Sequence, residues 1–303
     1  MNEPNFMVVG APKSGTTALT EYLREHPMVF ISTPKEPHYF ALDLPAYRYV
    51  SDWPGYLRLF DHAEQSQPAR GEGSVFYLYS ERAARHIREC IPDARLIVML
   101  RNPLDLAVSM HAQALLTGDE NIPAFEQAWA LCGERRRGVY KPPGCRDVKV
   151  LLYDELPLLG RQLQRLLSAF PEQQVGWWFY EDFAASTGEV YRQVLEFLGV
   201  PDDGRCEFPR VNERKRARSR WLTRFTRKTP EPLVNVAMRL KGPLGLQRWG
   251  ILDGLRSLNE VPAKPVTIPA GLAARMRDHF ESDVELLQQI TGRDLSNWLE
   301  SSG

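Results

Sequence analysis

The sequence predicts an α/β protein of three layers, a central parallel sheet flanked by helices, and three observations favour this class. Apolar runs alternate with helical patterns, as in repeated βαβ units. The first apolar run leads directly into a glycine-containing loop and then a helical pattern. The strongest apolar run, residues 95–100, is continuously aliphatic, which is typical of a strand buried on both faces. A chain of 303 residues can bury a sizeable core, and we expect one domain over residues 1–303.

The first unit is a strand at residues 6–9, a loop that reads GAPKSGTT, and a helix at residues 16–25. Glycines let such a loop fold tightly, so that successive N–H groups point inward at an anion, and the helix behind it adds its positive end. The loop therefore predicts a phosphate or sulfate site. The alternative is a glycine-rich turn that carries a solvated lysine, Lys13.

The second unit is the strand at residues 95–100, which ends at Arg101. Asn102 is suited to cap a helix, Pro103 to occupy its first position and Asp105 its first turn, so a helix is expected to begin here. A second junction between strand and helix thus presents a cation.

The later elements follow the same alternation. Residues 174–183 predict a strand, flanked by helices at 159–170 and 187–198, the second of which Gly199 ends. An amphipathic helix closes the domain, with its apolar positions at Leu272, Met276, Phe280, Val284 and Leu287.

Composition narrows the functional classes. The 38 basic and 38 acidic residues cancel, so no overall field indicates nucleic acid or an anionic membrane as a partner. The four cysteines lie far apart, without a C-x-x-C pair, which argues against a metal knuckle or a disulfide scaffold and favours a reducing, cytoplasmic setting. The sequence carries no signal-peptide pattern and no membrane span, so we expect no stable membrane insertion.

The loop departs from the common nucleotide-hydrolysing type, which places lysine directly after the second glycine. Here Thr16 follows Gly15, and the lysine has moved back to Lys13. Magnesium-dependent hydrolysis also needs an acidic residue at the end of another strand, whereas the second strand ends in Arg101. This pattern suggests a further phosphate on the ligand and no obligatory metal.

With these residues in view, the chain resembles the sulfotransferases that use 3′-phosphoadenosine 5′-phosphosulfate, especially their bacterial and heparan-type branch, which have a P-loop-like fold. The resemblance implies this donor, with 3′-phosphoadenosine 5′-phosphate as product. It implies that Arg101 and Ser109, eight residues apart, clamp the 3′-phosphate. It also implies that the first loop binds the 5′-phosphosulfate through Ala11, Pro12, Lys13, Ser14, Gly15, Thr16 and Thr17.

The segment STPKEPHYF, residues 32–40, is similar to the one that supplies the catalytic base in heparan-type members. Glu36 matches that glutamate, and His38 matches a nearby polar residue. From the residues alone, an ordinary polar turn at Glu36 and a packing role for His38 remain open. Glu72, in GEGSVFYL, lies in a stretch that resembles the family's substrate-cleft segment, which makes it a second candidate for the base or an acceptor-binding residue. The alternative is a surface acid before a strand. Gly73 stands where heparan-type members have lysine, which weakens the case for a sulfated glycosaminoglycan acceptor.

The locally cationic run at residues 210–228 lacks a nucleic-acid fold signature. The family resemblance suggests that Arg218 and Arg220 close over the cofactor, while a solvated helical face remains the alternative. Residues of about 205–265 form a basic loop and an apolar insertion that we expect to cap the cleft. The expected activity is sulfuryl transfer to a hydroxyl of a small molecule, lipid or glycan. A nucleotide-dependent phosphotransferase and a non-catalytic nucleotide-binding protein are the alternatives.

Overall fold

A computed structural model describes residues 2–209, 215–217, 260–262 and 268–300. Its centre is a five-stranded sheet in the order β2-β3-β1-β4-β5, in which every pairing is parallel. The five strands are β1 (Phe6–Gly10), β2 (Val29–Ile31), β3 (Ala69–Glu72), β4 (Arg95–Leu100) and β5 (Val175–Phe179). A separate antiparallel pair joins β6 (Lys215–Ala217) to β7 (Glu260–Pro262). Arg218 and Arg220, and most of the expected insertion, lie outside the described residues.

Helices connect the strands and cover both faces of the sheet. In chain order they are α1 (Thr16–Arg24), α2 (Trp53–Leu57), α3 (Ala83–Cys90), α4 (Pro103–Thr117), α5 (Phe125–Ala130), α6 (Cys132–Arg136), α7 (Leu159–Ala169), α8 (Tyr180–Ala185), α9 (Thr187–Leu198) and α10 (Ala270–Thr291). Short 3₁₀ turns lie at Pro45–Tyr47, Arg58–Phe60, Val148–Leu151, Glu172–Gln174 and Ser296–Trp298.

The alternation of side chains along the strands creates two apolar layers. In β1, Met7 and Val9 join the core under α3, α4, α7 and α10, while Phe6 and Val8 join the core under α1 and α9. The neighbouring strand β4 divides in the same way. Both faces are therefore buried, which explains why these strands have continuous apolar sequences. The predicted three-layer class is confirmed.

Most predicted elements are present, with one correction. Residues 174–183 were expected to form one strand, but β5 ends at Phe179 and α8 begins at Tyr180. Glu181 and Asp182 occupy the first turn of α8, where the helix dipole favours acids. The short strands β2 and β3 and the helices α2, α3, α5 and α6 were not predicted. Their segments are too short for a clear period.

The start of α4 follows the predicted capping pattern. The side chain of Asn102 accepts a hydrogen bond from the Leu104 N–H at 2.9 Å, and Pro103 is the first helical residue. This cap starts the helix immediately after Arg101, so that the arginine lies at the carboxyl edge of the sheet, next to the loop that follows β1.

Candidate active site

The loop between β1 and α1 has the geometry of an anion cradle. Gly15 has φ 83° and occupies the N-cap position of α1 without a side-chain cap, so the first helical amides stay available to a ligand. Gly10 is required by close approach, because a Cβ there would lie 2.8 Å from the Cβ of Leu78. Lys13 also has a positive φ, 62°, which a non-glycine residue rarely adopts outside a functional or tightly constrained loop.

Arg101 joins the two strand-to-helix junctions. Its Nη1 donates to the carbonyl oxygen of Lys13 at 2.5 Å, and its guanidinium lies 4.4 Å from the ring centroid of Tyr180. The residue is 5% exposed, its Nε is buried without a hydrogen-bond partner among the described residues, and the carboxylate of Asp105 is 3.7 Å away. A buried guanidinium with so weak a counter-charge is suited to receive an anionic ligand.

One face of α4 passes along the loop. Asp105, Ser109, Gln113 and Thr117 are spaced four residues apart and therefore lie on one side of the helix. The ammonium of Lys13 donates to the Gln113 Oε1 at 3.1 Å, which anchors the loop to the middle of this face. Ser109, half-buried, lies one turn closer to Arg101. The helix thus carries polar groups from the Arg101 end to well past Lys13.

Glu36 and His38 form a pair in the segment that follows β2. The Nε2 of His38 lies 3.2 Å from the Glu36 Oε2, and the Lys35 ammonium lies 2.7 Å from the Oε1. Burial alone would raise the pKa of Glu36, but the hydrogen bond with His38 and the charge of Lys35 lower it to about 2. The carboxylate, with 34% of the side chain exposed, is therefore ionised at neutral pH and reachable by a ligand.

Glu72 has the opposite environment. It is the last residue of β3 and is fully buried, which corrects the alternative of a surface acid before a strand. Its Oε2 accepts from the Ser74 N–H at 2.8 Å and its Oε1 from the Tyr56 hydroxyl at 3.3 Å. Burial raises the pKa of Glu72 to about 7, against the lowering effect of these hydrogen bonds.

The two acids are linked through Ser74. Its hydroxyl oxygen accepts from the backbone N–H of His38 at 2.8 Å, and its own N–H donates to Glu72. His38 has φ 49°, so this hydrogen bond helps to hold it in an uncommon backbone conformation beside Glu36. In this arrangement Glu72 supports the segment that carries Glu36.

The matched family establishes what kind of domain this is. The sequence profile of the sulfotransferase domain matches residues 3–215, which include both junctions, Glu36 and Glu72. The chain belongs to the sulfotransferase domain family. The match ends before Arg218 and Arg220, whose proposed contacts with the donor remain predictions.

Several curated relatives of this sulfotransferase domain have names that describe sulfotransferases acting on heparan sulfate, a glycan. Human heparan sulfate glucosamine 3-O-sulfotransferase 6 is 35% identical over 122 residues, which cover 40% of this chain and 33% of that protein. Mouse heparan sulfate glucosamine 3-O-sulfotransferase 3A1 is 28% identical over 197 residues, 65% of this chain and 46% of that protein. The matched segments thus span less than half of these relatives.

A solved structure extends the similarity over the whole fold. The sulfotransferase from Alicyclobacillus acidocaldarius is 27% identical, with a TM-score of 0.71, over 99% of this chain and 100% of that one. The predicted family and its P-loop-like fold are confirmed. Within the described part of this sulfotransferase domain, none of the helices combines the length and apolar character that crossing a membrane requires.

Three residues of this candidate site were missed from the sequence. Gln113 contacts Lys13, and its four-residue spacing from Ser109 was a signal that could have revealed it. Lys35 pairs with Glu36 and lies beside it in the chain, so adjacency was the signal. Tyr180 stacks on Arg101 although 79 residues separate them, and nothing local in the sequence indicates that contact.

Proposed function

We propose that this domain transfers the sulfuryl group of 3′-phosphoadenosine 5′-phosphosulfate to an acceptor hydroxyl by in-line displacement. The observation that carries the proposal is the bond from buried Arg101 to the carbonyl of Lys13. It brings a cation suited to one phosphate next to a loop suited to another. A donor with phosphates at both its 3′ and 5′ positions matches that pair of sites.

The residues present fit this donor. The loop from Ala11 to Thr17 would hold the 5′-phosphosulfate through the first amides of α1 and through the hydroxyls of Thr16 and Thr17. Ser14 is fully buried, and its hydroxyl lies 3.5 Å from the Pro12 carbonyl. Arg101, with its unpartnered Nε, and Ser109 would hold the 3′-phosphate.

When bound, the donor supplies an activated sulfuryl group with a nucleotide phosphate as its leaving group. Lys13 would neutralise the negative charge that develops on the leaving oxygen. Its contact with Gln113 holds the ammonium in place against α4. Glu36 would accept the proton of the acceptor hydroxyl as that oxygen attacks sulfur. His38 and Lys35 orient the carboxylate through one oxygen each.

Glu36 is preferred to Glu72 as the base because an acceptor must reach the carboxylate. The side chain of Glu36 is partly exposed, whereas that of Glu72 is enclosed and both its oxygens already accept hydrogen bonds. A carboxylate with a pKa near 2 is a weak base in the free protein. Acceptor binding that draws Lys35 away from Glu36 would raise its basicity.

The acceptor is proposed as a hydroxyl of a glycan, lipid or other small molecule. The names of the curated relatives support a glycan. Gly73 argues against a direct copy of their acceptor site, since a Cβ at that position would lie 2.9 Å from the Thr20 Oγ1 and 3.5 Å from the Lys35 Cγ. Lys35 therefore occupies the space next to Gly73, and its ammonium donates to the Gly73 carbonyl at 3.3 Å.

Calorimetry with 3′-phosphoadenosine 5′-phosphate and adenosine 5′-phosphate tests the proposal. The parent is expected to bind the first nucleotide more tightly by about 10- to 100-fold, because a charged hydrogen-bonded pair is at stake. Arg101→Ala should remove most of that preference, and Arg85→Ala, at a guanidinium that is 87% exposed, should keep it. No binding of the 3′-phosphorylated nucleotide to folded parent would overturn the proposed function, and magnesium-dependent binding of ATP in its place would favour a phosphotransferase.

Catalysis needs its own measurement. Radiolabelled sulfuryl transfer from the donor to a panel of sugars, lipids and phenols should give at least one product. If the product nucleotide binds but the panel, widened to polyols and amines, yields no transfer, a non-catalytic nucleotide-binding protein becomes the better description.

A further inference from the structure

Arg146 is held rigidly by a buried carboxylate. Its Nε lies 3.2 Å from the Asp119 Oδ1 and its Nη2 lies 2.8 Å from the Oδ2, while its backbone N–H donates to the Oδ1 at 3.0 Å. Asp119 is 2% exposed, but the side chain of Arg146 is 39% exposed. The carboxylate therefore faces the interior, and the guanidinium edge that bears Nη1 is turned away from it.

The guanidinium lies on an aromatic wall that leads to the proposed base. Its centre is 4.1 Å from the ring centroid of Tyr47. The Tyr47 ring packs edge-on against the His38 and Phe76 rings, with ring centroids 6.3 Å and 5.0 Å away, respectively. His38 in turn contacts Glu36. The Tyr47 ring and the His38 imidazole thus lie between Arg146 and the Glu36 carboxylate.

The polar face of α4 leads to the same place from the other side. The Thr117 hydroxyl donates to the Asp119 Oδ2 at 2.8 Å. Thr117 lies one turn beyond Gln113, the residue that contacts Lys13, and one helical turn advances about 5.4 Å. Two independent paths of contacts, through Tyr47 and through α4, therefore connect Arg146 to the proposed base and to the residue that holds Lys13, on the side away from Arg101.

We propose that Arg146 determines acceptor specificity by binding an oxyanion group, a carboxylate or sulfate, on the acceptor. The proposal rests on the proposed function and names the acceptor class for the same site. Asp119 and Tyr47 hold the guanidinium before the acceptor arrives, which reduces the conformational freedom lost on binding.

The test uses the parent saturated with 3′-phosphoadenosine 5′-phosphate and three probes: glucuronate, glucose 6-sulfate and glucose. Dissociation constants come from NMR titration. The parent complex is expected to bind at least one anionic sugar about 10-fold more tightly than glucose. Arg146→Gln should bring that ratio close to one, Arg146→Lys should keep part of it, and the matched control Arg161→Gln should leave it unchanged.

The outcomes separate the two proposals. Failure of the nucleotide to bind would count against the proposed function itself. With the nucleotide bound, an absence of measurable binding of both anionic sugars, or an equal preference in the parent and in Arg146→Gln, would overturn the role of Arg146. If Arg146 merely held Tyr47 in place, the substitution would weaken the binding of all three sugars alike. The ratio of anionic-sugar affinity to glucose affinity would then stay as in the parent. Thermal unfolding identifies a variant that has not folded, in which case Asp119→Asn, expected to halve the preference or more, takes its place.

Discussion

The donor corner and the acid segment of this domain are built by different means. The donor corner, comprising residues 10–17 and Arg101, is formed by two neighbouring parallel strands that end at the same edge of the sheet. The acid segment, residues 32–40 and 72–80, consists mostly of loop, and long-range bonds such as that from the Phe40 N–H to the Tyr77 hydroxyl hold it. Regular structure delivers the first region, and side-chain hydrogen bonds assemble the second.

This difference has a consequence for function. Backbone amides and an arginine at a strand end are suited to bind the same ligand in every member of a family. The proposed sulfuryl donor is such a ligand. A loop network can vary while the sheet stays the same, and it places two acids in opposite environments, one with a pKa near 2 and one near 7. We therefore expect acceptor selection to reside in the acid segment and its neighbours.

Replacing the proposed base should have the largest effect. Glu36→Gln keeps the shape of the side chain but removes the acceptor of the proton, so the turnover number should fall about 10²–10⁴-fold. The affinity for 3′-phosphoadenosine 5′-phosphate should stay close to that of the parent, since the donor corner is untouched. Turnover and calorimetry measure the two quantities, with Glu172→Gln, an exposed position before β5, as the control. Unchanged turnover in Glu36→Gln would remove Glu36 from the mechanism.

Replacing Lys13, the cation of the loop after β1, should affect the donor corner. Lys13→Ala should lower sulfuryl transfer about 10²–10³-fold, because charge on the leaving oxygen loses its neutralising partner. Lys13→Arg, which retains the charge, should recover part of the loss. Single-turnover rates with saturating donor provide the measurement. Transfer at the parental rate by a folded Lys13→Ala protein would contradict the role given to the lysine.

The acid segment should also influence stability as a function of pH, a smaller effect. The folded-state pKa of Glu72 is raised from 4.5 to about 7, so between these values the folded protein holds a proton that the unfolded chain has released. Its contribution to the free energy of unfolding should therefore fall by roughly 3 kcal/mol as pH rises through this window. Glu72→Gln should flatten that fall.

Urea unfolding at pH 5, 6, 7 and 8 checks this prediction. From pH 5 to pH 8, the free energy of unfolding of the parent should fall more than that of Glu72→Gln. The difference between the two proteins should therefore shift in favour of the variant as pH rises. Glu36, with its lowered pKa, has the opposite sign, and its contribution is lost as pH falls from 4.5 towards 2, outside this range. Parallel pH profiles for the two proteins would show that Glu72 does not titrate in this window.

Much of the donor corner could be predicted because its information is local. The apolar run of β1, the glycines after it, the aliphatic run of β4 and the capping pattern at Asn102 all lie within short windows. The resemblance to a known family added the meaning of Lys13, Arg101 and Ser109. The strand–helix boundary after Phe179 was missed because the aromatic and acidic residues that follow it fit either element.

By itself, then, the sequence determined the α/β class, the two junctions and the residue types that meet an anion there, since each depends on neighbours along the chain. The tertiary structure alone decided that Glu72 is enclosed while Glu36 is reachable, and that Tyr180 stacks on Arg101. It also decided that Arg146 meets Asp119 across 27 residues. Burial and contacts of this kind depend on how distant segments pack, and no short window of sequence contains them.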